Sequence, residues 1–413
     1  MRGLAAAATR PDQGAVDVTA NDLYGEGRWP EVFARLRRED PVHFCPDSFY
    51  GPYWSVTRHA DIAHVEALPQ LFSSSWTHGG ITILHNDPDI QLPMFIAMDR
   101  PEHTAMRRTV SPAFSPSALS DHSAAIRART AGLLDGLPVG EPFDWVDRVS
   151  TELTTQMLAT LFDFPWEDRR LLATWANWAG DFRAAVSPAL RRKRQRVLQQ
   201  MVDYFGRLWM ERRDKGLAPD LLSRMIHSDA MSNLRPQEFC GNLMLLVIGG
   251  NDTTRHSMTG LVVALDQFPE NRALLDANRG LVVNAVSELI RWQTPLSHMR
   301  RTATEDTEIG GKAIRKGDKV VLWYNSANRD EAVFADADRF DVTRPNARRH
   351  LAFGFGIHRC VGARLAELQL YILLEEMLNR GMTVTPLHAP MRIPSPFANG
   401  YRKQMVTVSR PQG

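Results

Sequence analysis

The decapeptide Phe353-Gly354-Phe355-Gly356-Ile357-His358-Arg359-Cys360-Val361-Gly362 constrains this chain more than any other stretch. It places one cysteine in a glycine-rich loop that runs directly into a helical pattern, Ala363-Arg364-Leu365-Ala366-Glu367-Leu368-Gln369-Leu370. Glycines at 354, 356 and 362 permit a tight backbone and the close approach of a flat ligand. A thiol on such a loop, with helix N-terminal amides behind it, is held as the anion. That is the environment an iron-binding thiolate needs. The plainer reading is a half-buried cysteine in a turn, because buried cysteine usually serves as a small hydrophobe. The rest of the chain has to decide between them.

The 413 residues suffice for one large domain or two to three ordinary ones, and with 44% hydrophobic and 23% charged residues they can bury a sizeable core. The 49 basic and 47 acidic residues leave a net charge of +2, which argues against nucleic acid as the default partner. Cys45, Cys240 and Cys360 are too few and too scattered for a disulfide framework or a zinc cluster, and fit a reducing, cytoplasmic compartment. Met1 to Thr19 lacks the apolar core of a signal peptide, and no window approaches about 18 apolar residues, so no membrane span is expected. Residues 1–20 read as a flexible tail and 21–413 as a single domain.

Apolar residues at three- and four-residue spacing predict helices over 102–111, 117–135, 146–163, 166–181, 187–215, 236–266, 269–275 and 279–292, with Pro295 ending the run. Upstream, short helices are expected at Pro30–Arg38 and Asp61–Leu68, and strands near Val42–Phe44 and Tyr53–Val56 joined by a turn at 47–52. Residues 73–101 are irregular yet apolar, either a ligand-binding loop or one packed on the core. Residues 301–324 turn to strand character, with Thr307–Ile309, a Gly310-Gly311 turn and Lys319–Trp323. A last helix over 361–379 and short strands around 381–386 and 404–408 complete a mainly α fold with small β-sheets, of the α+β class.

Three further constellations carry chemistry. In Leu243 to Thr254 an apolar helix abruptly acquires Gly249, Gly250, Asp252, Thr253 and Thr254. Each glycine costs about 1 kcal/mol in a helix interior, and a Thr253 hydroxyl can bond the Gly249 carbonyl. This reads as a local helix opening where Thr253 or Asp252 handles protons, or as a kink in a core helix. Glu288 and Arg291 share a helix face at i,i+3, by themselves an ordinary surface ion pair, with Arg339 downstream as a third partner for a buried network. His103 and Arg107, at i,i+4, can grip one anion together, with Arg301 and His358 as further candidates, although each alone reads as a solvated basic residue.

Together these stretches resemble a cytochrome P-450. Phe353, Gly356, Cys360 and Gly362 match the family's haem loop, Phe-x-x-Gly-x-x-x-Cys-x-Gly. Gly249-Gly250-x-Asp252-Thr253 matches its oxygen-activating helix, and Glu288-x-x-Arg291 with Arg339 its fold-stabilising triad. The motifs occur in order across roughly residues 60–410, with Ala337 departing from a common proline. A finer similarity, carried by residues 249–255, 92–99 and 391–397, is to the soluble bacterial terminal alkane and fatty-acid hydroxylases, from which His256 departs at a position where asparagine is expected.

The resemblance implies a triangular-prism fold with haem b (iron protoporphyrin IX) between the oxygen-activating helix and the cysteine-loop helix. Cys360 would ligate the iron, within a cofactor shell that includes Phe353, Gly354 and Gly362. His103, Arg107, Arg301 and His358 would hold the propionates, and Asp252 and Thr253 would relay protons to dioxygen. The implied substrate is an apolar linear chain, hydroxylated at or near its end in a channel walled by Ile83, Leu84, Met94, Phe95, Leu246, Val247, Leu296, Met299 and Phe397. Arg348, Arg349, Arg359 and Arg364 would present a basic face to an acidic 2Fe–2S ferredoxin served by an NAD(P)H-dependent ferredoxin reductase. The alternatives are a hydroxylase of a terpenoid or other bulky apolar substrate and, from another class, a haem-binding sensor or carrier, against which Asp252 and Thr253 argue.

Overall fold

Helical periodicity dictates most of the architecture. The computed structural model describes residues 16–83, 93–180 and 187–411. In chain order the helices are α1 (Asn21–Gly25), α2 (Trp29–Glu39), α3 (His59–Ala67), α4 (Glu102–Val110), α5 (Pro116–Asp135), α6 (Glu152–Phe162), α7 (Arg170–Ala179), α8 (Pro188–Arg213), α9 (Leu221–Ile226), α10 (Pro236–Gln267), α11 (Glu270–Ala277), α12 (Val282–Gln293), α13 (Tyr324–Ala327) and α14 (Ala363–Asn379). Prolines open α5, α8 and α10, where a missing N–H costs nothing. The expected helix over 146–163 begins as a π-helical turn, Val146–Thr151, before α6. The short helices α1, α9 and α13 have too few turns to show a period and were not expected.

The strands are β1 (Val42–Cys45), β2 (Tyr53–Val56), β3 (Phe72–Ser73), β4 (Phe143–Asp144), β5 (His298–Ala303), β6 (Thr307–Ile309), β7 (Lys312–Ile314), β8 (Lys319–Trp323), β9 (Thr383–Pro386), β10 (Met391–Arg392), β11 (Tyr401–Lys403) and β12 (Met405–Ser409). Five form one sheet in the order β1-β2-β8-β5-β3, with only β2 and β8 parallel. Gly310 and Gly311, both at positive φ, close a hairpin between β6 and an unexpected β7. Strands β4-β12-β9 and β10-β11 form two smaller sheets.

The 32-residue α10 runs through the middle of the helical part. Its first half packs into a cluster with Phe162, Trp175 and Phe205, and its second half into another with Trp145, Leu289 and Leu373. The tail predicted over 1–20 ends early, since Val18 is fully buried and its carbonyl accepts from the Tyr24 hydroxyl at 2.9 Å.

Under this core lies a buried ionic cluster. Arg291 and Glu288 are wholly enclosed, joined by Nε–Oε2 (2.7 Å) and Nη2–Oε1 (2.8 Å) bonds, so they are not an ordinary surface pair. The second arginine is Arg344, whose Nε donates to both Glu288 oxygens. This corrects the expectation for Arg339. Its guanidinium points outward to Glu270 at 2.6 Å, because its backbone turns inward to offer its carbonyl to Arg291 at 2.8 Å. Arg291 also donates to the Ala337 carbonyl at 2.7 Å, a group that proline would supply equally, so that departure leaves the network intact.

Candidate active site

The cysteine loop lies against the end of α3. Gly354 and Gly356 both adopt φ +67°, a conformation that disfavours side chains. A Cβ on Gly356 would stand 2.4 Å from the Glu66 carbonyl oxygen, and one on Gly354 3.4 Å from Glu66 Oε1. Gly362 differs: its φ is −87°, and a Cβ there would meet no protein atom closer than 3.8 Å. Glu66 itself is buried and accepts from Arg301 Nη2 (3.1 Å), Tyr324 Oη (2.6 Å) and Phe355 N (2.8 Å). Sequence reasoning missed Glu66 and Tyr324, which sit in short helices without a motif.

Cys360 opens onto a cavity of about 300 Å³, yet protein encloses the thiol on its other sides. Burial therefore pushes its pKa up, against the Gly362 amide and the guanidiniums of Arg107 and Arg359.

One group of basic residues does converge. The His103 and His358 rings, from α4 and the loop, lie 4.3 Å apart between centroids, both buried. None of their four ring nitrogens has a partner among the described residues. Burial, aided by Arg107 and Arg100, pushes His103 down to about 4. Burial, aided by Arg301, His103 and Arg107, pushes His358 down to about 2. Arg107, Arg301 and His358 all line the cavity. Neutral, unsatisfied imidazoles beside two guanidiniums make a site for anionic oxygen.

Opposite stands α10. It is helical without a break through Gly249–Thr254, so the predicted local opening is absent. Thr253 Oγ1 donates to the Gly249 carbonyl at 2.9 Å. A Cβ on Gly249 would meet no protein atom within 4 Å, so glycine here keeps the cavity wall bare. Gly250 serves packing instead, since a Cβ would fall 2.7 Å from Leu158 on α6. The Asp252 carboxylate accepts from Arg255 Nη2 and Asn251 Nδ2, each at 2.9 Å. Arg255 Nη1 reaches Asn177 on α7 at 2.8 Å. Arg255 was legible in principle, as the i,i+3 partner of Asp252 on one helix face. Asn177 was not, being 78 residues away.

Of the expected cavity walls, Met94, Phe95, Leu246, Leu296, Met299 and Phe397 line the cavity, as do Cys360, Phe353, Gly354, Gly362, Asp252 and Thr253. Two walls are corrected. Val247 turns to the far side of α10 and packs in the helical core, and Ile83 packs with Phe33 and Trp323 behind the sheet. Leu84 lies outside the described residues. Ile81, Leu245 and Ile248 take part instead.

The Cytochrome P450 family profile matches residues 275–397. The chain is 38% identical over 406 residues to linalool 8-monooxygenase of Pseudomonas putida, covering 95% of this chain and 98% of that protein. It is 33% identical over 394 residues to a methyl-branched lipid omega-hydroxylase of Mycobacterium bovis, covering 92% and 90%. A solved structure, cytochrome P450-153 from Novosphingobium aromaticivorans, superposes with a TM-score of 0.91 at 55% identity, covering 95% of this chain and 99% of that one. The chain belongs to the cytochrome P450 family of haem b monooxygenases.

Proposed function

We propose that this monooxygenase is a haem–thiolate enzyme with Cys360 as iron ligand. We propose further that it hydroxylates an apolar linear substrate, a medium-chain alkane or fatty acid, at or near the terminal carbon. One juxtaposition carries the reading: the Cys360 thiol and the Gly249–Thr253 segment of α10 line the same cavity. The residues present fit haem b. The four orphaned nitrogens of His103 and His358, with Arg107 and Arg301, suit its two carboxylates. The bare faces at Gly249 and Gly362 suit its flat ring.

When bound, haem supplies the activation of dioxygen. Cys360 would hold the iron as a thiolate, its charge tempered by the Gly362 amide. Asp252, pinned by Arg255 and Asn251, and Thr253 are the groups that pass protons across the cavity. With the Thr253 proton given to the Gly249 carbonyl, its oxygen can accept one from water. Leu246, Leu296, Met299 and Phe397 orient the chain end, which a strong terminal C–H bond requires. Arg348, Arg349, Arg359 and Arg364 are exposed, and Arg348, Arg359 and Arg364 gather around Glu367. Such a face suits an acidic 2Fe–2S ferredoxin, itself reduced by an NAD(P)H-dependent reductase.

A second reading, a terpenoid substrate, draws support from the similarity to linalool 8-monooxygenase. The test is a spin-state titration of the haem-loaded protein with alkanes and fatty acids of increasing length and with linalool, followed by product analysis. A length-dependent response with terminal alcohols as products supports the first reading. A flat response to every linear chain, with turnover of linalool, replaces it by the second.

A further inference from the structure

His298 begins β5 and is fully buried behind the cavity wall. Its ring touches three separate segments. Nδ1 lies 2.9 Å from the Pro396 carbonyl oxygen. Nε2 lies 3.3 Å from Thr82 Oγ1 and 3.4 Å from the Ile83 backbone nitrogen. A carbonyl only accepts and a backbone N–H only donates, so the ring is held in one neutral tautomer, protonated at Nδ1. It packs tilted on Trp323, centroids 4.8 Å apart, and edge-on to Phe397 at 5.3 Å.

Both segments it joins line the cavity, through Ile81 and Thr82 on one side and Phe397 and Ala398 on the other. Backbone bonds attach each to the β5 region separately, Arg300 N to the Ile81 carbonyl (2.7 Å) and Ser297 N to the Phe397 carbonyl (2.8 Å). His298 bonds both at once. We infer that His298 is a specificity-determining positioning residue, a two-sided tie that fixes the spacing of segments 81–83 and 396–398 and keeps the cavity between them narrow. Burial lowers the ring's pKa to about 4, so the tie keeps its tautomer at neutral pH. The inference rests on this cavity being the ligand site beside the haem.

The test uses haem-loaded protein and two imidazole probes, narrow 1-dodecylimidazole and bulky 4-phenylimidazole, whose binding needs no knowledge of the substrate. His298→Asn keeps a donor near Pro396 and loses the acceptor for Ile83; His298→Gln does the reverse. Each variant should keep the reduced carbon monoxide band of wild type. Each should shift the ratio of the two Kd values by about fivefold or more toward the bulky probe, the scale of one hydrogen bond. An unchanged ratio in either variant that keeps the band overturns the inference. Loss of the band in both would assign His298 to folding and overturn it too. The wild-type band reads Cys360 alone, so the two proposals fail separately.

Discussion

The Nε of Arg344 sits 3.0 Å from one oxygen of Glu288 and 3.1 Å from the other, in a cluster closed to solvent. Removing Arg344 leaves the Glu288–Arg291 pair but strips both carboxylate oxygens of a buried guanidinium donor. Arg344→Leu should therefore destabilise the protein by about 1.5–3 kcal/mol. Arg339→Ala loses only an exposed pair with Glu270, worth about 0–1 kcal/mol. Urea denaturation of both variants checks this, and the reverse order would restore Arg339 to the cluster.

Two glycines of the site should respond oppositely to a methyl group. At Gly356 the φ of +67° costs alanine about 1–2 kcal/mol, and its Cβ would meet the Glu66 carbonyl. Gly356→Ala should lower both thermal stability and haem content. At Gly249 the methyl meets no protein atom, and alanine favours the helix by about 1 kcal/mol. Gly249→Ala should keep or raise the melting temperature while weakening ligand binding in the cavity. A stable Gly356→Ala protein with full haem content would show that the loop can leave Glu66.

Burial holds the His298 imidazole at about 4, below the roughly 6.5 of an unfolded chain. Between those values the unfolded chain binds a proton that the folded one does not. This contribution to stability is complete above pH 6.5 and falls away as pH drops toward 4, by about 1.4 kcal/mol per pH unit. Denaturation midpoints between pH 6 and 4.5 should fall less steeply for His298→Asn than for wild type. Parallel slopes would mean that His298 is already charged in the folded protein.

Thr253→Ala removes the hydroxyl on the Gly249 carbonyl without touching Cys360 or the histidine pair. The variant should bind haem normally and consume oxygen, with product per oxygen falling about tenfold or more. Oxygen-electrode rates set against product yield measure this, and fully coupled turnover removes Thr253 from the relay.

Cys360→Ala should abolish the red-shifted Soret band of the reduced carbon monoxide complex that a thiolate ligand produces. Cys240 and Cys45 serve as controls, since neither lines the cavity among the described residues. Retention of the band in Cys360→Ala would reassign the ligand.

The long helices were legible because a 3.6-residue period repeated over several turns is hard to mistake. The site was legible wherever a motif concentrates unusual residues, as at 249–254 and 353–362. What escaped depends on direction. Arg339 and Arg344 lie five residues apart in an irregular loop, and no period says which guanidinium turns inward. Val247 and Leu246 are neighbours on α10 and both pack in the helical core, yet only Leu246 also lines the cavity. Glu66 gathers Arg301, Tyr324 and Phe355 from distant parts of the chain, and nothing local in its sequence announces that.

The length of α10 has a consequence for how such a chain can diversify. Thr253 lies near the midpoint of 32 helical residues, several turns from either end, beyond the reach of terminal fraying. Substitutions in the cavity-facing turn at Leu245 and Leu246 can reshape what the cavity admits while the turn carrying Asp252 and Thr253 stays in register. On the proposed roles, selectivity and reactivity sit about two turns apart on one rigid rod, and a lineage can trade substrates by altering the first without rebuilding the second.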